Sequence, residues 1–226
     1  MDQVFRKEVK YRISVIQFAR LEPMLAAILR RDRAGEKGTY RVRSLYFDSI
    51  NDGDLRDVLS GNYSKKKIRL RVYDPAQETA KLELKVKHGP DQQKFSLEIT
   101  RVQARDLMEG NLEFLREFKE QAAHDLYREM TLGVYRPKII VDYRRTAFIS
   151  DLNSIRITFD ADMQISDTDL NLFSSHLNLQ PLDRGDVGVL EVKYDDFLPS
   201  YIKDVLQHID QLPEANSKYA LGRVTC

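Results

Sequence analysis

From Lys65 to Lys87 the chain reads KKKIRLRVYDPAQETAKLELKVK, and its alternation restricts the fold more than any other stretch. Lys67, Arg69 and Arg71 alternate with Ile68, Leu70 and Val72. Past Asp74 and Pro75, Glu83, Lys85 and Lys87 alternate with Leu82, Leu84 and Val86. Successive side chains of a strand point to opposite faces, so this is the pattern of a hairpin with one aliphatic and one charged face. A single charged face is ordinarily the solvated side of an antiparallel sheet. The same pattern, however, recurs in strands far apart along the chain.

FRKEVKYRI sets Glu8, Lys10 and Arg12 against Val9, Tyr11 and Ile13. YRVRSLYFDS places Ser44, Tyr46 and Asp48 on one face, and KFSLEITR places Ser96 and Glu98 on its polar side. PKIIVDYRRTAFI aligns Val141, Tyr143 and Arg145. SIRITFDAD sets Arg156, Thr158 and Asp160 opposite Ile155, Ile157 and Phe159, and GVLEVKYD sets Glu191 and Lys193 opposite Leu190, Val192 and Tyr194. Between them, helical spacing predicts a helix over Val15–Arg31, capped by Ser14, with Ile16, Leu21, Leu25, Ile28 and Leu29 as its apolar stripe and a kink or break at Pro23. A short helix is expected over Asn51–Gly61. The longest helical pattern covers Asn111–Thr131, with Leu112, Leu115, Phe118, Ala122 and Leu126 on one face and Gly133 as its stop. Leu170–Gly188 reads as a loop or short helix, Ser200–Leu212 as a helix, and SKYALG as a final turn or short helix.

The chain has 226 residues, 42% of them hydrophobic and 31% charged, which suits one domain spanning 1–226. It shows no run of eighteen apolar residues and no charged-then-apolar leader, so a soluble, cytoplasmic protein without a signal peptide or transmembrane segment is expected. The single cysteine, Cys226, excludes disulfides and thiolate metal sites. His88, His124, His176 and His208 have no metal-ligand spacing. With 36 basic against 35 acidic residues, the chain lacks the charge of a nucleic-acid coat, and no nucleic-acid partner is expected. Cations concentrated on strands under a neutral total point instead to a local anion site.

If the amphipathic helices cover the outside of a closed sheet, the charged faces turn inward. The fold class that follows is α+β: an eight-stranded antiparallel, tunnel-like barrel with a charged interior, flanked by helices. Such a barrel holds side chains or one small ligand. Cations in this number cannot be buried unpaired, because each desolvated charge costs several kcal/mol. A polyanion would satisfy them, since arginine forks and lysine point charges both suit phosphate oxygens. The glutamates among them then suit Mg2+ or Mn2+, hard cations that bridge carboxylate and phosphate.

The strand signatures E-x-K-Y (Glu8, Lys10, Tyr11), S-L-Y-F-D-S (Ser44–Ser49), K-x-R-x-R-x-Y (Lys67–Tyr73) and E-L-K-x-K (Glu83–Lys87) resemble the VTC domain. So do Y-x-R-x-A-F (Tyr143–Phe148), R-x-T-x-D (Arg156–Asp160), L-E-x-K-Y (Leu190–Tyr194) and S-K-Y (Ser217–Tyr219). This domain is the polyphosphate polymerase branch of the CYTH-like triphosphate tunnel metalloenzymes. Each motif is weak alone, but their order from near residue 6 to near residue 222 covers essentially the whole chain. The resemblance implies that Lys10, Arg69, Arg71, Lys85, Arg145, Arg156 and Lys218 hold a triphosphate, with Lys94 matching a further family lysine. Glu191 matches the family's metal-binding glutamate, with Glu83 or Glu8 as its companions. Lys67, Lys87, Arg12, Lys193 and Tyr46 line the same faces as further substrate contacts. One departure stands out: the wider superfamily opens with E-x-E-x-K, and here Arg6 occupies the first position. This favours the VTC branch over the adenylate cyclase and thiamine-triphosphatase branch, removes one metal carboxylate, and leaves the number of metal ions open. Tyr46 and Tyr143 read as wall residues, Lys65 and Lys66 as mouth or solvent residues, and Asp48 and Asp160 as partners of neighbouring cations rather than metal ligands.

The implied chemistry is metal-dependent transfer of a γ-phosphoryl group from ATP or another triphosphate to orthophosphate, pyrophosphate or inorganic polyphosphate. With water as acceptor the same site is a triphosphatase. A non-catalytic module that binds polyphosphate or an inositol polyphosphate uses the same cations, and Glu191 is the feature that favours catalysis over it. An RNA 5′-triphosphatase is a third reading, but no aromatic-basic surface for single strands is evident. Related domains also work with a membrane-protein partner, and the sequence leaves that open here.

Overall fold

Residues 6–35, 38–89, 91–182 and 186–225 are described by the computed structural model. The side chain of Arg6, and Cys226, lie outside the described residues. The alternating stretches form strands. β1 (Arg6–Ser14) runs into α1 (Val15–Ile28), and β2 (Arg30–Arg31), β3 (Thr39–Asp48) and α2 (Gly53–Leu59) follow. The basic hairpin is β4 (Ser64–Val72) and β5 (Thr79–His88), followed by β6 (Asp91–Thr100), α3 (Arg101–Glu109) and α4 (Gln121–Leu132). The remainder is β7 (Arg136–Ile149), β8 (Arg156–Ser166), β9 (Gln180–Pro181), β10 (Val187–Asp195), α5 (Ser200–Leu206) and α6 (Lys218–Thr225). The strand order is β1-β10-β8-β7-β3-β4-β5-β6, with β2 beside β7 and β9 beside β8. The eight expected antiparallel strands flanked by helices are therefore present, with two short strands beside them, and among the described residues their order is an open path and not a closed ring.

Several local expectations give way to specific contacts. Ser14 does cap α1, its Oγ accepting the Gln17 amide at 3.0 Å, but the helix stops at Ile28 and carries Pro23 without a break. Ile16 is 70% exposed, so the buried stripe is Phe18, Leu21 and Leu25. The pattern over Asn111–Thr131 is not one helix. Glu113–Glu117 is a 3-10 turn, Phe118 is extended at ψ 145°, and α4 begins only at Gln121. Leu115 and Leu126 are still buried, which is why the apolar spacing imitated a continuous helix. α3 occupies a stretch to which no element was assigned above, and its start is a capping box: Thr100 Oγ accepts the Gln103 amide while Gln103 Oε1 accepts the Thr100 amide. Gly110, at φ 94°, closes it in the left-handed conformation that glycine adopts without strain. The C-terminal helix expected over Ser200–Leu212 ends at Leu206, and SKYALG opens α6.

The chain divides into two compact units, each assembled from three segments. The first comprises Met1–Arg41, Asp142–Gln164 and Pro181–Asn216. Here β1 pairs with β10 and β10 with β8, and α1 and α5 pack Phe18, Leu21, Leu25 and Ile202 against Ile157, Phe159, Leu190 and Val192. Phe18 stacks on Phe159 with ring centroids 3.9 Å apart. The second unit comprises Val42–Val141, Ile165–Gln180 and Ser217–Cys226. Its β4–β5–β6 meander turns Ile68, Leu70, Leu82, Leu97 and Ile99 toward Ala104, Leu107, Leu115, Ala123, Leu126 and Met130 of the covering helical segments. In both units the aliphatic parity of the sequence is the core parity. Leu82, with 0% exposure, sits between Leu70 and Leu97 in register. Leu82→Ala is therefore expected to lose about 2–5 kcal/mol of stability in a denaturant titration, a loss too large for a surface position.

Candidate functional site

In the first unit the antiparallel register of β1 and β10 sets Glu8 opposite Lys193 and Lys10 opposite Glu191. Charge thus alternates both along and across the strands. The Lys10 ammonium lies 2.9 Å from Glu8 and 3.9 Å from Glu191, and donates to the Asn216 carbonyl at 3.1 Å. Lys193 pairs with Glu191 and lies 3.9 Å from Glu8. Glu191 is only 7% exposed, so its charge is retained by these two lysines rather than by water. On β7, Arg145 donates through Nε and Nη2 to the buried Asp160 of β8 at 2.6 and 2.7 Å, and Nη2 is 3.4 Å from the Tyr143 hydroxyl. Burial pushes the Arg145 guanidinium down, but the charges of Asp160, Tyr143 and Glu191 outweigh it and hold its pKa well above the usual value. Arg156 Nη2 is held by Asp32 at 2.7 Å and by the Tyr40 hydroxyl at 2.8 Å. Arg12 shares this strand face but is exposed.

In the second unit, β4, β5 and β6 bring Lys67, Lys85 and Lys94 abreast in register, and the next row is Arg69, Glu83 and Ser96. Glu83, 3% exposed, takes three cations: Oε2 accepts from Arg69 Nε at 2.7 Å and faces Arg71 Nη1 at 3.6 Å, while Oε1 pairs with Lys94. Burial pushes this carboxyl up, but Arg69, Arg71 and Lys94 overcome that and hold it at about 2. Arg71 Nε donates to Ser44 Oγ at 3.3 Å, and Arg69 Nη1 to the Tyr46 hydroxyl at 3.2 Å. Buried Tyr46 stacks on Tyr219 at 5.3 Å between centroids. Its phenol is pushed up by burial, but the charges of Arg69, Arg71 and Lys218 draw it below its ordinary value. Lys67 donates to Ser217 Oγ at 2.8 Å, one residue before Lys218 at the start of α6. Lys87 is exposed at the hairpin's end.

These contacts reassign several carboxylates. Both oxygens of Glu83 are engaged by cations, Arg69 and Arg71 on one and Lys94 on the other. Asp160 holds Arg145, as its neighbourhood suggested. Among the described residues, Asp48 pairs with no lysine or arginine. It accepts the amides of Ser49, Asp54 and Leu55 at 2.7–2.9 Å and the Tyr219 hydroxyl, fixing α2 and α6. Asp54 lies beside it, 1% exposed, with the Tyr135 hydroxyl 3.0 Å from both its oxygens. Burial, then the Asp48 charge, pushes Asp54 up to about 7. Lys66 points to the opposite face, pairing with Glu129 over the Tyr135 ring. Among the described residues no group of three or more His, Cys, Asp or Glu could hold a metal ion. Sequence reasoning passed over Asp32, Tyr40 and Ser217 as contacts of the cations. Ser217 lay inside a quoted motif, but Asp32 is 124 residues from Arg156 and nothing in its surroundings marks it.

Among solved structures, the chain is similar to a candidate adenylate cyclase from Bacillus halodurans, at 14% identity and TM-score 0.55, covering 94% of this chain and 96% of that one. It is also similar to a Hippeastrum protein described as a candidate adenylyl cyclase with a dominant triphosphatase activity, at 16% identity and TM-score 0.58, covering 96% of each chain. At these identities the likeness shows the fold. No curated protein matches the sequence. The profile of the VTC domain does match, over residues 5–225, and with the strand motifs in place along that whole length the chain belongs to the VTC domain family.

Proposed function

We propose that this protein performs metal-dependent phosphoryl transfer on a triphosphate, with polyphosphate synthesis from ATP as the activity that its family membership favours. The carrying observation is the row Lys67–Lys85–Lys94. Lys67 is held by Ser217 and Lys94 by Glu83, yet like charges directly opposite on neighbouring strands repel, and a polyanion across the row would relieve that repulsion. Arg69, Arg71 and Lys218 extend that surface in the second unit. In the first, Lys10, Lys193, Arg145 and Arg156 supply phosphate contacts of the same kind. Phosphoryl transfer asks little covalent chemistry of a protein, and positioned cations supply most of the stabilisation.

Mg2+ is typically held by one or two carboxylates plus substrate phosphates. Glu191 and Glu8, adjacent through their shared lysines, lie on neighbouring strands and fit that requirement as a pair, and Glu83 belongs to the second unit. A divalent ion there would neutralise charge developing on the phosphates. The chain's own residues orient the phosphates and hold their charge. A phosphate acceptor is already anionic, so no general base is required. The opposing reading is a polyphosphate or inositol-polyphosphate receptor, favoured by the fact that Glu8 and Glu191 are both salt-bridged to lysines. Incubation with γ-labelled ATP and Mn2+ separates these readings: a ladder of chains marks a polymerase, orthophosphate alone a triphosphatase, and unchanged ATP with tight polyphosphate binding a receptor.

Tripolyphosphate should raise the melting temperature of the wild type by mass action. Arg69→Ala or Arg71→Ala should weaken its binding by about 2–5 kcal/mol, the usual cost of breaking a desolvated charge pair. A wild-type melting temperature unmoved by tripolyphosphate would sink the anion-site reading.

A further inference from the structure

We propose that Glu83 is a positioning residue: it fixes Arg69, Arg71 and Lys94 in the arrangement that receives phosphate oxygens, and it is more than a counter-charge. The inference rests on the anion-site reading above and assigns the cation cluster its organiser. Both oxygens of Glu83 are turned toward cations. A plain counter-charge could sit anywhere near the cluster. Glu83 instead lies directly opposite Arg69 in register, with Lys94 on the far neighbouring strand and Arg71 one strand position on from Arg69. From there a single carboxylate reaches cations on both flanking strands.

The second contact of each arginine supports this. Arg69 is tied to Glu83 through Nε and to Tyr46 through Nη1. Arg71 is tied to Ser44 through Nε and faces Glu83 through Nη1. Each guanidinium is thus set at two points, and Glu83 is the point they share. A planar fork held at two points has lost its rotational freedom before the ligand arrives, so less is lost on binding. Its pKa of about 2 keeps the carboxylate ionised at every pH at which the protein would be assayed, so the clamp does not open by protonation.

Counter-charge and positioning predict opposite signs. The cluster has three cations against one carboxylate. Glu83→Gln makes it more positive by one charge while keeping the shape. A counter-charge, once removed, leaves an anion bound more tightly. A positioning residue, once removed, leaves the anion bound more weakly despite the added charge. The experiment is calorimetric titration of tripolyphosphate, without added metal and at several ionic strengths, into wild type, Glu83→Gln and Glu83→Asp, with the melting temperature of each free protein. Glu83→Gln is expected to bind about tenfold more weakly, the scale of a lost pre-organising contact, and Glu83→Asp to fall between it and wild type. Equal or tighter binding by Glu83→Gln overturns the proposal, and so does a lowered melting temperature with unchanged affinity, which is the mark of a purely structural role. If Glu83→Gln does not fold, Glu83→Asp decides alone: it keeps the charge but shortens the reach, so wild-type affinity overturns positioning and a several-fold loss supports it. Failure of the wild type itself to bind tripolyphosphate refutes the anion site, and this proposal with it, and is distinguished by needing no variant.

Discussion

Glu191→Gln is expected to retain tripolyphosphate binding, at least as tight as wild type without metal, and to lose metal-dependent ATP turnover by roughly a hundredfold or more, the scale of removing one strong electrostatic stabiliser. The expectation starts from geometry. Glu191 is nearly buried on β10, between Lys10 across the ladder and Lys193 two residues along its own strand. The substitution deletes a negative charge from a lysine pair, so an anion loses a competitor for those ammonium groups. A metal held as proposed would, by contrast, lose the less exposed of Glu191 and Glu8. The measurement is a pair of curves for each protein: tripolyphosphate affinity without metal, and ATP turnover against Mn2+ concentration. Turnover within a few-fold of wild type at saturating Mn2+ would show that Glu191 does not hold the metal. Affinity that fell together with turnover would show that it organises lysines instead.

Asp54 should make the protein less stable as pH rises from about 4 to 7. Its carboxyl is buried beside Asp48 and raised from 3.8 to about 7. Between those values the native state holds a proton that the unfolded chain releases, so folding takes up a proton and stability falls with increasing pH. The contribution is fully present below about 4 and gone above about 7, and the span corresponds to roughly 4 kcal/mol. The other groups facing Asp54 are the Tyr135 hydroxyl, Lys66 and Glu129, and Asp48 is itself held by three backbone amides and Tyr219. Asp54→Asn keeps an acceptor for the Tyr135 hydroxyl and removes the titration. The variant should show a flatter profile of unfolding free energy against pH and gain on the order of 2 kcal/mol at pH 8, where the wild type carries the unfavourable charge. Parallel profiles for the two proteins would refute it.

The strands were legible because their signal is local. Lys67, Arg69 and Arg71 against Ile68, Leu70 and Val72 is a period of two whatever lies elsewhere, and the aliphatic members are buried as that period requires. The helices were less legible, for two reasons. The segment around Leu112, Leu115 and Phe118 buries apolar side chains without being one helix, so spacing alone could not reveal the extended backbone at Phe118. α3 carried an explicit start signal, Thr100 with Gln103 three residues on, which the strong strand before it obscured. The cations of the candidate site stood out by type and parity, but their partners did not. Asp32 with Arg156, and Asp48 with Tyr219, are pairs made by topology across more than a hundred residues. The burial that raises Asp54 comes from how α2 sits against Tyr135, and short helices with an early aspartate are ordinarily solvated.

Each unit is built from three separated stretches of chain, and this governs the order in which the protein can come into being. On the ribosome, the second unit's meander emerges with the helical segments that cover it close behind, so its main core can collapse locally. Tyr219, whose hydroxyl ties α6 to Asp48, is made 171 residues after that aspartate. In the first unit β1 is synthesised well before β10, its neighbour in the ladder, which follows about 180 residues later in register. Closing so long a loop is slow, because its entropy is lost before the strand contacts repay it. During synthesis β1 therefore waits with an unpaired edge that matches only a strand not yet made. Folding of the first unit should be the late and rate-limiting event, and the nascent chain is most exposed to misassembly through the edge of β1.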